Sequence, residues 1–407
     1  MSIFCKPISS KKRFLSFRKL NEIYSFSIFE KASSIPALDW EHVLHNKTLF
    51  LDVPYLTLLE QCTHVKLNFR YILVYYKTKP CGIIYIQIAN FNLDLFSNQI
   101  DTLKFNKLNI FKKIIGSNKN DDHLMLITCG NNILSGDYGF LFDEKINQKL
   151  ASELLLKIMD VISKEEKLTG TISATLIKDF VKPLEPKKLF ESKNYFEFLV
   201  EPRLIIQIQS NIKTLDDYVA SFSKKYRKRA KAVLNLFLDL ESRILNAEEV
   251  KKYEIELYDL YSQVFDRAKF KLLKLPQNYF SDLKAAYPET FFVKAFFYNK
   301  QLVAFVSSFL MPMASIEAHY IGFDYELNTK LDLYQNILYS LINDAIINKC
   351  TSVNLGRSAA EIKSTVGAIP ENLYCYIKPQ NTISKLFLNP FIDLLRPSPW
   401  IPRNPFK

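Results

Sequence analysis

The stretch TSVNLGRSAAEIKSTVGAIPENLYCYIK, residues 351–378, decides the fold because its order of elements has been met once before in the chain. It reads as an apolar strand, a polar turn or short helix, and a second strand. In the first half TISATLIKDF (171–180), the helix-prone EPKKLFES (185–192) and YFEFLV (195–200) run in the same order. Working outward, FFVKAFF, the turn YNKQ and LVAFVSSFL (291–310) repeat the hairpin pattern of YILVYY, KTKPC and GIIYIQIA (71–89). Both hairpins are rich in β-branched and aromatic residues, as strands are. SIEAHYIGFD (315–324) answers HLMLITCG (123–130), and a helix over 331–348 answers one over 144–162. Five elements in one order, in halves of similar size, predict a duplicated α/β domain with a mixed sheet flanked by helices.

The boundaries that follow are a basic lead over 1–35, a first domain over 36–210, a second over 211–380 and a proline- and aromatic-rich tail over 381–407. A length of 407 residues with 48% hydrophobic residues supplies material for two cores. Pro54 is expected to interrupt helical spacing over 40–59, and prolines 390, 397, 399, 402 and 405 to keep the tail from forming a long helix. No run of about 18 apolar residues occurs, so no membrane span is expected. The six cysteines lack metal or disulfide spacing, which fits a reducing, cytoplasmic setting, with attachment at the inner membrane surface left open, and no metal site is expected.

A net charge of +12 favours anionic partners. Six of eight positions over 224–231 are basic, within a helix expected over 214–236 that Thr214 caps. Lys225, Arg227 and Arg229 are its candidates for phosphate, RNA or an acidic membrane surface, and a merely solvated helix is the competing reading. Only nine glycines occur, about 2% against an ordinary 7%, and Gly356 and Gly367 fall in the opening stretch. Arg357 and Lys363 there suit a phosphate or carboxylate, with an ordinary Arg–Glu surface loop as the alternative.

The tandem order, the run SKKYRKRAK (223–231) and EIKSTVGA (361–368) resemble the GNAT-related transferases of the Fem type. Within that group the likeness is nearest to bacterial BioF-like acetyltransferases, also described as peptidoglycan biosynthesis or recognition proteins. The resemblance implies two GNAT-like domains that move an acyl or aminoacyl group from an activated donor to an amine in cell-envelope or lipid synthesis. It places Lys363 and Gly367 in the family's Lys-x-x-x-Gly element. No cofactor is implied beyond a co-substrate: acyl-CoA, an acyl carrier or aminoacyl-tRNA. Where a glycine-rich turn would hold the coenzyme A pyrophosphate at a helix start, the chain has YELNTKLDLYQ (325–335).

Amide formation needs a neutral amine, a polarised carbonyl and a proton acceptor. Glu361 is the first candidate for base, with His319, Asp324 and Glu317 as rivals. Arg357, Lys363, Gly367 and the basic helix are candidates for an anionic, phosphate-bearing substrate, tRNA included. Asn131, Gly136, Asp137, Lys178 and Asp179 are candidates for the opposing wall, with turns that merely build the fold as the alternative. Nothing points to DNA. A catalytically silent module that binds an anion, RNA or a membrane surface is the second reading, favoured by the absent glycine-rich turn.

Overall fold

A computed structural model describes residues 16–45, 47–63, 67–92, 123–167, 172–268, 273–397 and 399–407. The start of the basic lead and most of the lysine-rich insertion between 90 and 122 lie outside the described residues.

The first half opens with a hairpin of β1 (Ser16–Lys19) and β2 (Tyr24–Phe29), in a segment that the sequence marks only as a basic lead. Phe26 and Phe29 bury there, so two apolar anchors set the strand. Helices α1 (Ala37–Leu44) and α2 (Val53–Thr63) follow, with Pro54 inside the first turn of α2, where its missing N–H leaves no helical bond unmade. Then come β3 (Leu67–Tyr76), β4 (Lys79–Asn92), β5 (His123–Cys129), short β6 (Phe140–Phe142) and α3 (Gln148–Lys167). β7 (Ile172–Phe180), α4 (Lys187–Ser192) and β8 (Phe196–Gln207) complete this half.

The second half begins with α5 (Leu215–Ala220), where Thr214 and Asp217 form a reciprocal capping box, and α6 (Lys224–Phe237), which carries the basic run. The chain continues through β9 (Glu241–Ile244), α7 (Ala247–Lys252), α8 (Glu254–Arg267) and α9 (Tyr279–Ala286). The repeated order then returns: β10 (Phe291–Tyr298), β11 (Gln301–Met311), β12 (Ser315–Phe323), α10 (Tyr325–Leu331), α11 (Leu333–Ile347), β13 (Ser352–Asn354), α12 (Ala360–Thr365) and β14 (Ile369–Pro379).

All strands among the described residues join one mixed sheet, ordered β1-β2-β3-β4-β5-β7-β14-β8-β13-β12-β11-β10-β9, with β6 on β4. The final strands are exchanged. β14 of the second half pairs with β7 of the first, and β8 of the first half pairs with β13 of the second. β14 and β8 also pair with each other at the centre.

Contrary to the proline argument, the tail forms α13 (Thr382–Leu395) straight through Pro390. An interior proline costs about 3 kcal/mol or more. Leu388 and Ile392, one turn apart, offset this by packing on Phe198, Leu373 and Cys375, since each buried aliphatic side chain stabilises by roughly 1.5–3 kcal/mol. Beyond α13, Phe406 packs edge-on against Tyr218 and Phe222.

Two parallel strand pairs set the geometry of any site. β5 pairs with β7 as far as Cys129 opposite Ile177, and β5 ends there. β12 pairs with β13 only from Ser315 opposite Ser352 to Glu317 opposite Asn354, then runs on to Phe323. After β13 the chain stays with β8, because the Leu355 N–H donates to Leu204 O and the Leu204 N–H to Gly356 O. β12 and β13 therefore part at Glu317 and Asn354. Just beyond, β12 carries an extra residue opposite Ser307, a bulge whose Tyr320 N–H donates to Ser307 Oγ at 3.0 Å.

Candidate active site

The parting of β12 and β13 places one carboxylate at its apex. Asn354 donates from Nδ2 to both oxygens of Glu317, at 2.7 and 2.9 Å. Asn354 is itself oriented, because its Oδ1 accepts the Gly356 N–H at 2.9 Å, and this fixes which end of the amide faces the acid. Burial pushes the Glu317 carboxyl up to about 8, with the Arg203 charge and the Asn354 bond pulling down and Asp137 pushing up.

Asp137 stands in the loop after β5. Its side chain keeps contact with solvent although protein surrounds it. Burial raises its carboxyl, Arg203 opposes, and the charges of Asp179 and Glu371 add to the rise. Arg203 on β8 is anchored by Glu371, its cross-strand partner on β14, with Nε to Oε2 at 2.5 Å.

A second set of charges ties this loop to both halves. Lys178 Nζ donates to Asn131 O at 2.7 Å and Leu134 O at 2.9 Å, and lies 2.6 Å from Asp179 Oδ2. Arg357, which follows β13, reaches Asp179 Oδ1 at 3.3 Å. Burial works against the Asp179 carboxylate, but Arg357, Lys178 and the Gly136 N–H outweigh it and hold its pKa below the ordinary value. Asp179 adopts φ +68, and Ser358 and Ala359 adopt φ +67 and +48, so both polar turns hold left-handed residues that side chains resist. The ends of β7 and β13, equivalent in the two halves, thus meet through one ion pair. Tyr320 adds another link by donating to Ile133 O at 2.9 Å.

The sequence candidates divide accordingly. Asn131, Gly136, Asp137, Lys178, Asp179 and Arg357 come together. His319 lies on the same strand as Glu317, stacked on Tyr279 and among Phe291, Phe309 and Tyr320, with Nε2 3.0 Å from the Tyr279 hydroxyl. Burial pushes its imidazole down to about 3, so it is neutral at physiological pH.

Glu361, the first candidate for base, sits elsewhere. It is half exposed on α12 and forms an ion pair with Arg403 of the tail. Asp324 caps α10 by accepting the N–H groups of Glu326 and Leu327, which occupies its carboxylate structurally. Lys363 is buried and donates to Leu355 O at 2.7 Å, Arg357 O at 2.6 Å and Gly356 O at 3.4 Å. Its Nζ is thus taken up by the carbonyls of the turn that carries Arg357. Gly367 adopts φ +101, and a Cβ there would lie 2.5 Å from Tyr218 Oη and 2.7 Å from Phe406. That glycine serves tail packing. Lys225 and Arg229 are exposed on α6, and Arg227 donates to Ala220 O at 3.3 Å.

Arg203, Glu371 and Asn354 escaped the sequence reading, as did Tyr138, the buried neighbour of Asp137 whose ring lies near Glu317. The Arg203–Glu371 partners are 168 positions apart, and only the strand exchange brings them together.

No family model matches the chain, and no curated protein matches it by sequence. Among solved structures, FemX superposes with a TM-score of 0.52 and 11% identity, covering 87% of this chain and 98% of that one. A tandem GNAT protein from the clavulanic acid biosynthesis pathway gives 0.50 and 7%, covering 88% and 99%. The chain has the tandem GNAT fold of the Fem-type proteins. Among the described residues no helix is long and apolar enough to cross a membrane.

Proposed function

We propose that the protein is an N-acyltransferase or aminoacyltransferase whose catalytic base is Glu317, acting on an amine of cell-envelope or lipid synthesis. The observation that carries this reading is a carboxyl group held by an oriented amide at the point where two parallel strands part, where burial pushes it up to about 8. A base poised near the operating pH accepts a proton with little penalty in either direction.

In the reaction the amine nitrogen attacks the donor carbonyl and the new C–N bond forms. Ionised Glu317 takes the proton that the nitrogen sheds. The bond to the thioester sulfur or the tRNA ester oxygen breaks, and the leaving group departs with the electron pair and takes up the proton that Glu317 received, which returns the base to its ionised form. Arg203 and Asp137 set the charge around the base, and Asn354 positions it. At the start of α11 the Tyr334 N–H is already bonded to Asn328 Oδ1 at 2.9 Å. A side chain thus takes a backbone donor near the helix start that an anion would use, which supports a donor other than acyl-CoA.

The test supplies a mixed aminoacyl-tRNA pool or acetyl-CoA, with the amines of a cell extract, to wild-type and Glu317→Gln protein and reads amide products by mass spectrometry. An amide formed by the wild type and lost in the variant is expected. Formation at equal rates by both would remove Glu317 from the chemistry.

A further inference from the structure

The basic helix α6 breaks charge rules that its neighbours keep. α5, α7 and α8 each place acids in their first turn, Asp216 and Asp217, Glu248 and Glu249, Glu254 and Glu256, where the positive end of a helix dipole favours them. α6 opens instead on Lys224 and Lys225 and holds no acid over its 14 residues. Lys224 and Lys228, Lys225 and Arg229, and Lys228 and Lys231 are like charges three or four positions apart, a spacing at which they repel. None of these five side chains has an ion-pair or hydrogen-bond partner among the described residues. Exposed cations elsewhere do find acids, as in Lys251 with Glu254, Arg396 with Asp393 and Arg403 with Glu361.

The five share one face. At 3.6 residues per turn they span an arc of about 160°, and all are exposed. Ala230, Val233 and Phe237, on the opposite side, pack into the core of the second half. The helical backbone continues through Leu238, so this side chain projects within about 20° of Lys231 around the helix. It is 83% exposed. At the other end the tail is tied to the helix start, where the Ser223 N–H donates to Pro405 O at 2.7 Å. Ile401, four positions earlier in that tail, is 62% exposed. The helix thus carries a one-sided row of unpaired cations with an uncovered aliphatic side chain near each end.

We infer that this face of α6, with Leu238 and Ile401 at its ends, docks on a bilayer surface that carries anionic headgroups. Headgroup phosphates relieve the repulsion along the helix and supply the negative charge that its first turn lacks. The two aliphatic side chains enter the boundary between headgroups and acyl chains, as those of helices lying in the plane of an interface do. RNA phosphates would meet the cations equally well but would leave Leu238 and Ile401 in water. The one aromatic residue of the run is not offered for base stacking either: Tyr226 packs half-buried against the second core, with Lys225 Nζ 5.7 Å from its ring centre. The docking concerns where the protein sits and holds whichever residue is the base.

The experiment sediments the full chain with vesicles of phosphatidylcholine alone and of an equal mixture with phosphatidylglycerol. Binding is expected to the mixture only, falling steeply as salt rises. The double variant Lys228→Gln, Lys231→Gln should weaken it about 25-fold, at roughly fivefold per charge. Lys187→Gln, Lys188→Gln removes the same charge from exposed positions of α4 and should leave binding within about twofold of wild type. Leu238→Ser should weaken it about threefold to tenfold. Every substituted side chain is exposed, so circular dichroism should show each variant folded as wild type. Glu317→Gln should bind the mixed vesicles as wild type does, so loss of transfer in that variant speaks to the base alone. Absence of binding to the mixture, equal binding to phosphatidylcholine alone, an equal loss in the α4 variant, or tighter binding of bulk tRNA that Leu238→Ser leaves unchanged would each overturn the assignment.

Discussion

The two halves share an order of elements but differ where their parallel strands end. In the first, β5 stops with its pairing at Cys129, and residues 130–139 fold back beside it under the grip of Lys178. In the second, β12 outruns β13 by six residues and stays partly accessible from Glu317 to Ile321. The halves thus hold one closed fork and one open one, and the loop that closes the first brings Asp137 and Tyr138 near Glu317 of the second. Repetition of fold therefore does not imply repetition of site.

Breaking the open fork should have the largest effect. Glu317→Gln is expected to lower kcat/KM about 100- to 10,000-fold in the transfer assay. In the wild type that rate should climb with pH to a plateau above about 8, following the raised carboxyl. The same shift has a stability sign. The folded state keeps a proton on Glu317 that the unfolded chain releases near its ordinary value of about 4.5, so burial of this group destabilises increasingly from there to about 8. Denaturant titrations should show Glu317→Gln more stable than wild type at pH 8, by roughly 1–3 kcal/mol given partial solvent access, with the gap closing toward pH 4.5.

Breaking the closed fork comes next. Lys178→Met removes one of the two cations on buried Asp179 and releases the Asn131 and Leu134 carbonyls, so unfolding free energy should fall by about 3 kcal/mol, measured by the same titration. Lys363→Met is a smaller disturbance. It leaves the three carbonyls of the turn before α12 without their donor, and a loss of about 2 kcal/mol is expected with Glu317 chemistry reduced through Arg357. At the bottom, Glu361→Ala breaks only the exposed pair with Arg403 and should change neither stability nor transfer beyond measurement error. A large loss of transfer there would return the base to α12.

What the sequence could disclose follows from how local each feature is. The hairpins, α3, α11 and the Thr214 cap depend on neighbours within a few positions, and their residues announce them. Lys178-Asp179 and Arg357 were visible as charges at strand ends. Choosing Glu361 over Glu317 came from weighing nearness in sequence to Arg357 and Lys363. The structure brings Glu317 to Asn354, 37 positions on, through parallel pairing that no local pattern encodes. Pro390 misled for a related reason: local propensity argued against α13, and tertiary burial of Leu388 and Ile392 prevailed.

The exchanged strands also govern how this chain comes into being. When a ribosome has released only the first half, β7 has one bare flank, and β8 has neither of its partners. Residues 369–379, the segment that seals both, are synthesised about 190 positions after β7. Until they emerge, a nascent sheet with apolar strands offers an edge to any passing strand. The protein's most dangerous moment is thus during its own translation, and guarding that edge falls to whatever meets the chain at the exit tunnel.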